Sequence, residues 1–217
     1  MTTKKRTGVL ISGRGTNLQA LIDAAAKPDF PAEIALVLSN VADAPGLQRA
    51  AKAGIATKTI PHRGHGSREA FDILVDAALR EANIDLVCLA GFMRVLSDSF
   101  VRRWEGKLIN IHPSLLPAFK GLDVHQRVLD AGVTISGCTV HFVVTELDSG
   151  PIIAQAAVPV LTGDDEEALA ARTLEAEHKI YPMALGLLAA GRVRLEKGRA
   201  LFDGVPPNKG ALFNPAL

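Results

Sequence analysis

Cysteine is scarce in this chain: Cys88 and Cys138 are the only two among 217 residues, each lies within an apolar run, and no Cys-x-x-Cys spacing occurs. A disulfide framework and a paired-thiol redox motif are thereby excluded, and both residues read as buried thiols in a reducing compartment. An excess of charge is lacking too. The 24 basic and 23 acidic residues leave a net +1, so no summed field draws the chain towards nucleic acid or an anionic membrane. Any anion must be held by a local site. Long hydrophobic runs are missing: after Lys4, Lys5 and Arg6 only Val9-Leu10-Ile11 precede Ser12-Gly13, too short for a signal peptide core or a membrane span. The expectation is a soluble, cytoplasmic protein. Internal repeats and low-complexity linkers are absent as well.

What is present fits one α/β domain. A hydrophobic content of 48% over 217 residues is enough to bury a substantial core. Short β-rich runs over 8–12, 34–39, 57–60, 86–90 and 107–112 alternate with helical patterns over 18–26, 46–53, 67–82 and 98–104. Helix starters stand in front of the latter, among them Asn17, Pro45, Ser67 and Ser97. The alternation predicts an open, mostly parallel twisted sheet with helices on both faces. Later, runs over 140–144 and 152–160 are joined by a 146–151 turn with no helix between, which predicts an antiparallel addition. A long helix is expected from about Asp165, with Pro182 kinking or interrupting it. Residues 193–195 and 199–202 around Lys197-Gly198 read as a hairpin. The tail 205–217, with Pro206, Pro207, Gly210 and Pro215, is expected to be loosely ordered.

The segment Asn110-Ile111-His112-Pro113-Ser114-Leu115-Leu116-Pro117, with Leu147-Asp148-Ser149-Gly150 further on, carries the most chemistry. Alternation along a strand puts Asn110 and His112 on one face. Pro113 has no N–H for a ladder, so the strand ends there and His112 sits at its mouth, where open parallel sheets bind ligands. Asn110 and His112 can donate to a developing oxyanion, and Asp148 in the following connection would favour the imidazolium form of His112. Ser114 lacks a Gly-x-Ser-x-Gly elbow, which points to direct transfer rather than an acyl-enzyme. Each residue alone also has a bland reading, as a turn cap, a satisfied buried histidine and a turn residue before glycine. Two polar groups on one face at a strand mouth favour function.

A glycine turn, Ser12-Gly13-Arg14-Gly15-Thr16-Asn17-Leu18, follows the first strand and opens the first helix. Unpaired N–H groups there suit one phosphate. A dinucleotide fingerprint would need a third glycine at Leu18 and an acid ending the second strand, where Ser39 and Asn40 stand. The turn alone reads equally well as a steric feature capped by Asn17.

Together with Gly91-Phe92-Met93-Arg94, Gly137-Cys138-Thr139-Val140-His141-Phe142, Ser67-Arg68-Glu69-Ala70-Phe71 and Glu177-His178-Lys179-Ile180-Tyr181-Pro182, these motifs resemble the folate-dependent formyltransferases, up to about Gly204. The resemblance implies that the chain moves the formyl group of N10-formyltetrahydrofolate, as co-substrate, to the amine of glycinamide ribonucleotide in purine synthesis, with no metal. It further implies that Asn110, His112 and Asp148 are catalytic. Gly15, Thr16 and Asn17 would grip the substrate phosphate, and Glu177 would contact the same substrate. Arg68, Met93, Arg94, Leu96, Val143 and Asp148 would hold the folate. On this view 1–217 is a single Rossmann-like formyltransferase domain. Residues up to about 105 bind the ribonucleotide phosphate, about 106–204 carry catalysis and folate, and 205–217 is a tail.

Arg14 and Thr16 stand where relatives often carry asparagine and serine. His141 reads as a strand histidine packed under the sheet ahead of a group that supports the site from behind, and His62 and His65 as a solvated loop rather than a metal pair. A hydrolase giving the formyl group to water, or another folate-dependent formyltransferase, is the alternative function. Water, however, needs no phosphate anchor. A formyltransferase acting on aminoacyl-tRNA or a nucleotide sugar would be expected to bring a further domain or a basic surface, which 217 nearly neutral residues do not supply. An oxidoreductase or a non-catalytic binding module on the same scaffold is the rival from another class. Small-molecule substrates are therefore expected, without nucleic acid or membrane, in a monomer or homodimer.

Overall fold

The computed structural model describes residues 3–206 together with Lys209, Gly210 and Asn214. Pro207 and Pro215, on which the expectation of a loose tail partly rests, lie outside the described residues. The first half alternates strand and helix: β1 (Lys5–Ile11), α1 (Thr16–Ala25), β2 (Ala32–Ser39), α2 (Pro45–Lys52), β3 (Ala56–Thr59), α3 (Arg68–Glu81), β4 (Leu86–Leu89), α4 (Asp98–Arg103) and β5 (Leu108–His112). The second half comprises α5 (Val124–Asp130), β6 (Ile135–Phe142), β7 (Ile152–Pro159), α6 (Glu166–Ala189), β8 (Val193–Glu196) and β9 (Arg199–Phe202).

Seven strands form one sheet in the order β3-β2-β1-β4-β5-β6-β7. The strands β1 to β5 are mutually parallel, whereas β6 and β7 are added antiparallel. The chain builds outward from β1 in one direction and from β4 in the other, so the boundary between them is a topological switch point. Loops leaving adjacent strands there diverge to opposite faces and open a crevice. Alternation along β1 shows the two layers: Val9 and Ile11 pack with α1 and α6 on one side, and Leu10 with α3 and α4 on the other. The remaining hairpin, β8 with β9, stands as its own small sheet. Cys88 and Cys138 are both fully buried.

Several elements depart from expectation for identifiable reasons. The helix α5 had no strong sequence signal, being seven residues long. Its Val124 and Val128, one turn apart, bury against Val158 and Leu169, and packing of this kind supports short helices that propensity alone does not. The strand β6 starts at Ile135 rather than Val140 and ends before Val143. Gly137 lies within it because a Cβ there would come within 2.0 Å of the Ala156 carbonyl oxygen on β7. Pro182 does not stop α6, which continues to Ala189 with Tyr181, Ala184 and Leu185 buried around the proline. Asn17 caps nothing: the residue before α1 is Gly15, in a left-handed conformation with φ 69°. Ser67 does cap α3, its side chain accepting from the Ala70 N–H at 3.1 Å.

One buried side chain fixes α6 against the part of the sheet that carries the site. The Tyr181 hydroxyl lies 2.8 Å from the Leu89 carbonyl oxygen and 3.2 Å from that of Ile109, bridging β4 and β5 just before Asn110. Burial pushes the phenol pKa well above its ordinary value, so the group stays a donor. Tyr181→Phe should leave two buried carbonyls short of a partner and lower unfolding free energy by about 1–3 kcal/mol. Urea denaturation at an unchanged m-value measures it, and a loss near zero would remove the hydroxyl as an anchor.

Candidate active site

Asn110 and His112 lie at the end of β5 on the face packed by α3 and α4, with Asn110 half-buried and His112 buried. The antiparallel register sets Asn110 opposite His141 and His112 opposite Thr139. After β6 the chain turns back through 143–150 and brings Asp148, at φ 48°, over the same place. Gly150 permits the return, since a Cβ there would fall 1.7 Å from the Phe142 carbonyl oxygen.

The three residues implied together by the resemblance are close in space. His112 Nδ1 lies 3.5 Å from Asp148 Oδ2, a charge contact longer than a strong hydrogen bond. His112 Nε2 is 2.9 Å from the Phe119 carbonyl oxygen, and the Gly121 N–H donates to Asp148 Oδ2 at 2.9 Å. Both ring nitrogens thus face acceptor oxygens, the arrangement an imidazolium satisfies. Lys120 Nζ bonds the Ser149 hydroxyl and lies 3.5 Å from Glu146. It ties the 118–122 segment to the Asp148 loop. A hydrogen bond to Glu146 from Ser149, and after it the charge of Lys120, lower the Glu146 pKa.

His141 belongs to this cluster, in the supporting role that the sequence reading placed second to simple packing. Its Nδ1 is 2.9 Å from the Phe142 carbonyl oxygen, so Nδ1 carries the hydrogen. Its Nε2 then offers a lone pair to Asn110 Nδ2 at 3.4 Å, and Asp148 Oδ1 is 3.9 Å away. Burial lowers the His141 pKa, against the raising effects of the Phe142 bond and Asp148, and the neutral tautomer follows. Alternation along β6 could have put His141 on either face; only the register with β5 decides.

A pocket of about 110 Å³ opens beside the cluster, lined by apolar Leu89, Phe92, Leu96 and Val143 with Arg94, Asn110, His141 and Asp148. Arg94 Nε is buried in it with no partner. Such a lining suits a planar conjugated ligand with acceptor groups. Met93 is exposed at its side chain. Arg68 is exposed at the start of α3 and is not part of the lining. A larger hollow of about 630 Å³ between α1 and α6 includes Thr16 but none of Asn110, His112 or Asp148.

The glycine turn has a support the sequence did not reveal. Gly46, at the start of α2, donates its N–H to the Gly13 carbonyl at 3.0 Å, and a Cβ on Gly15 would meet the Gly46 Cα at 2.7 Å. Two glycines therefore let the turn and α2 touch. Asn17 Nδ2 donates to Glu177 Oε2 at 2.7 Å, while Asn17 Oδ1 is buried without a partner, an open acceptor for a bound group. His62 is not a solvated loop residue: half-buried, its Nδ1 lies 3.2 Å from both Asn40 Nδ2 and the Asn40 carbonyl oxygen. Among the described residues no group of three or more His, Cys, Asp or Glu is arranged to hold a metal ion, and no helix is long and apolar enough to cross a membrane.

The sequence pattern of the family described as formyl transferase matches residues 5–185. The chain is 57% identical over 197 residues to the trifunctional purine biosynthetic protein adenosine-3 of Bos taurus, covering 90% of this chain and 20% of that protein. It thus spans about a fifth of the length of that relative. It is 47% identical to phosphoribosylglycinamide formyltransferase of Escherichia coli strain K12, covering 92% of this chain and 95% of the relative. The crystal structure of glycinamide ribonucleotide transformylase 1 from Symbiobacterium toebii superposes with a TM-score of 0.89 at 47% identity, covering 92% of this chain and 94% of that one.

Burial raises the pKa of Glu177 above its ordinary 4.5, partly offset by the Asn17 bond. Between the ordinary and the raised value the folded state holds more protons than the unfolded one, so stability falls as pH rises through that window. Glu177→Gln keeps an acceptor for Asn17 and has no charge to bury. Its melting temperature should exceed that of the unmodified chain at pH 7.5, and the gap should close as pH falls towards 4.5. Thermal scans across that range test this, and an unchanged or lower melting temperature at pH 7.5 contradicts it.

Proposed function

Because the chain belongs to the formyl transferase family, we propose that it passes the formyl group of N10-formyltetrahydrofolate directly to the amine of glycinamide ribonucleotide. The observation that carries this reading is the Asn110, His112 and Asp148 cluster beside a pocket with an unpartnered arginine, with the glycine turn at the neighbouring switch point. The substrate amine attacks the formyl carbon, and the carbonyl electrons move onto oxygen. Asn110, its amide held by His141, gives a hydrogen to that oxygen, and so does protonated His112 through the Nδ1 edge that Asp148 only loosely engages. Such donors act most strongly where charge develops and water is excluded. Asp148 stabilises the imidazolium and takes part, through water, in carrying the proton from the attacking amine. Collapse breaks the bond between the formyl carbon and folate nitrogen, which receives a proton as it leaves.

The glycine turn at Gly15, Thr16 and Asn17 holds the ribonucleotide phosphate on backbone N–H groups at the start of α1. Glu177, bonded to Asn17, contacts the rest of the same substrate. Arg94, Leu96, Val143 and the backbone about Met93 take the folate ring, and Arg68 lies free to reach its far end.

Following the release of tetrahydrofolate by absorbance, with and without glycinamide ribonucleotide, tests the proposal. Turnover should require the ribonucleotide, and an equal rate without it would identify a hydrolase instead. Asp148→Asn should fold normally and reduce kcat by about 10²–10⁴-fold, the usual worth of a positioned proton-transfer group. Near-normal turnover would take Asp148 out of the chemistry.

A further inference from the structure

We propose that Ser12 is a positioning residue that couples the two halves of the cleft, so that filling the glycine turn strengthens binding in the pocket beside Arg94, and the reverse. The inference rests on the ribonucleotide and folate half-sites proposed above. Ser12 follows β1 directly at the switch point, where the loop towards α1 and the loop from β4 towards α4 leave for opposite faces of the sheet. Two hydrogen bonds cross the divide at this one residue, and a third ties it to the end of β2. The Ser12 N–H donates to the Gly91 carbonyl at 3.1 Å, the Met93 N–H donates to Ser12 Oγ at 2.8 Å, and Ser12 Oγ donates to Asn40 Oδ1 at 2.6 Å.

The directions are fixed by chemistry. An amide oxygen can only accept, so the single hydroxyl hydrogen goes to Asn40 and the oxygen lone pairs face Met93. Asn40 is buried, and its own amide meets His62, which prevents it from turning away. Met93 immediately precedes Arg94, whose buried Nε lacks a partner in the pocket. Ser12 immediately precedes Gly13, whose carbonyl holds Gly46 under the turn. One hydroxyl thus sets the backbone on both sides: a phosphate that orders the turn orders the Met93 amide, and with it the approach of Arg94. Coupling of this kind is reciprocal, because each ligand must change the affinity of the other by the same factor.

Calorimetric titration measures this with glycinamide ribonucleotide and with tetrahydrofolate lacking its formyl group, each alone and each in the presence of the other. The unmodified chain should show mutual tightening of about fivefold or more. Ser12→Ala should keep measurable affinity for each ligand alone while the coupling factor falls to about one. Ser12→Thr, which retains the hydroxyl, should restore it. A coupling factor unchanged in Ser12→Ala overturns the proposal, as does weaker binding of both ligands with the factor intact, the signature of a purely structural role. Independent binding of both ligands to the unmodified chain refutes the coupling alone, whereas no binding of either refutes the functional reading as well.

Discussion

The antiparallel register of β6 on β5 pairs Asn110 with His141, and the cluster at the strand mouth is built on that pairing. A slip of one residue would send His141 to the opposite face of the sheet. Asn110 would then lose the lone pair that orients its amide, and the chain returning from Phe142 would bring Asp148 in at a different height. The tight passage of Gly150 over the Phe142 carbonyl and the Phe142 N–H bond to Pro151 at 2.9 Å hold the register from the other side. An enlarged residue at 150 would press backbone on backbone, where neither strand can yield. The catalytic geometry proposed here is therefore a property of sheet pairing before it is a property of side chains.

The parallel half of the fold was legible because most of its elements satisfy a local rule: apolar runs for the buried strands, amphipathic stretches after starters such as Pro45 and Ser67 for helices, with the exposed edge strand β3 marked by its place in the alternation. Legibility failed where tertiary contact decides. The helix α5 exists through Val124 and Val128 meeting Val158 and Leu169, and the early part of β6 through Gly137 fitting beneath Ala156. Neither contact leaves a local mark. Within the site, strand alternation was enough to unite Asn110 with His112, but uniting them with Asp148 required a loop path that periodicity does not encode. His141 was visible as a strand histidine with two readings, and the register with β5 chose between them. Gly46 was visible only as a glycine near a helix start, although it underpins the turn from another element. Asn17 looked like a cap and instead reaches across to Glu177, because the left-handed Gly15 had already turned the chain into α1.

The two thiols have a consequence for the conditions under which such a site can work. Burial pushes Cys88 and Cys138 up to about 12, so at neutral pH neither presents the thiolate that oxidants and alkylating agents attack. The cluster at the strand mouth contains only nitrogen and oxygen groups. Oxidation of either thiol could therefore reach the site only through the packing of the sheet, never through a lost nucleophile or ligand.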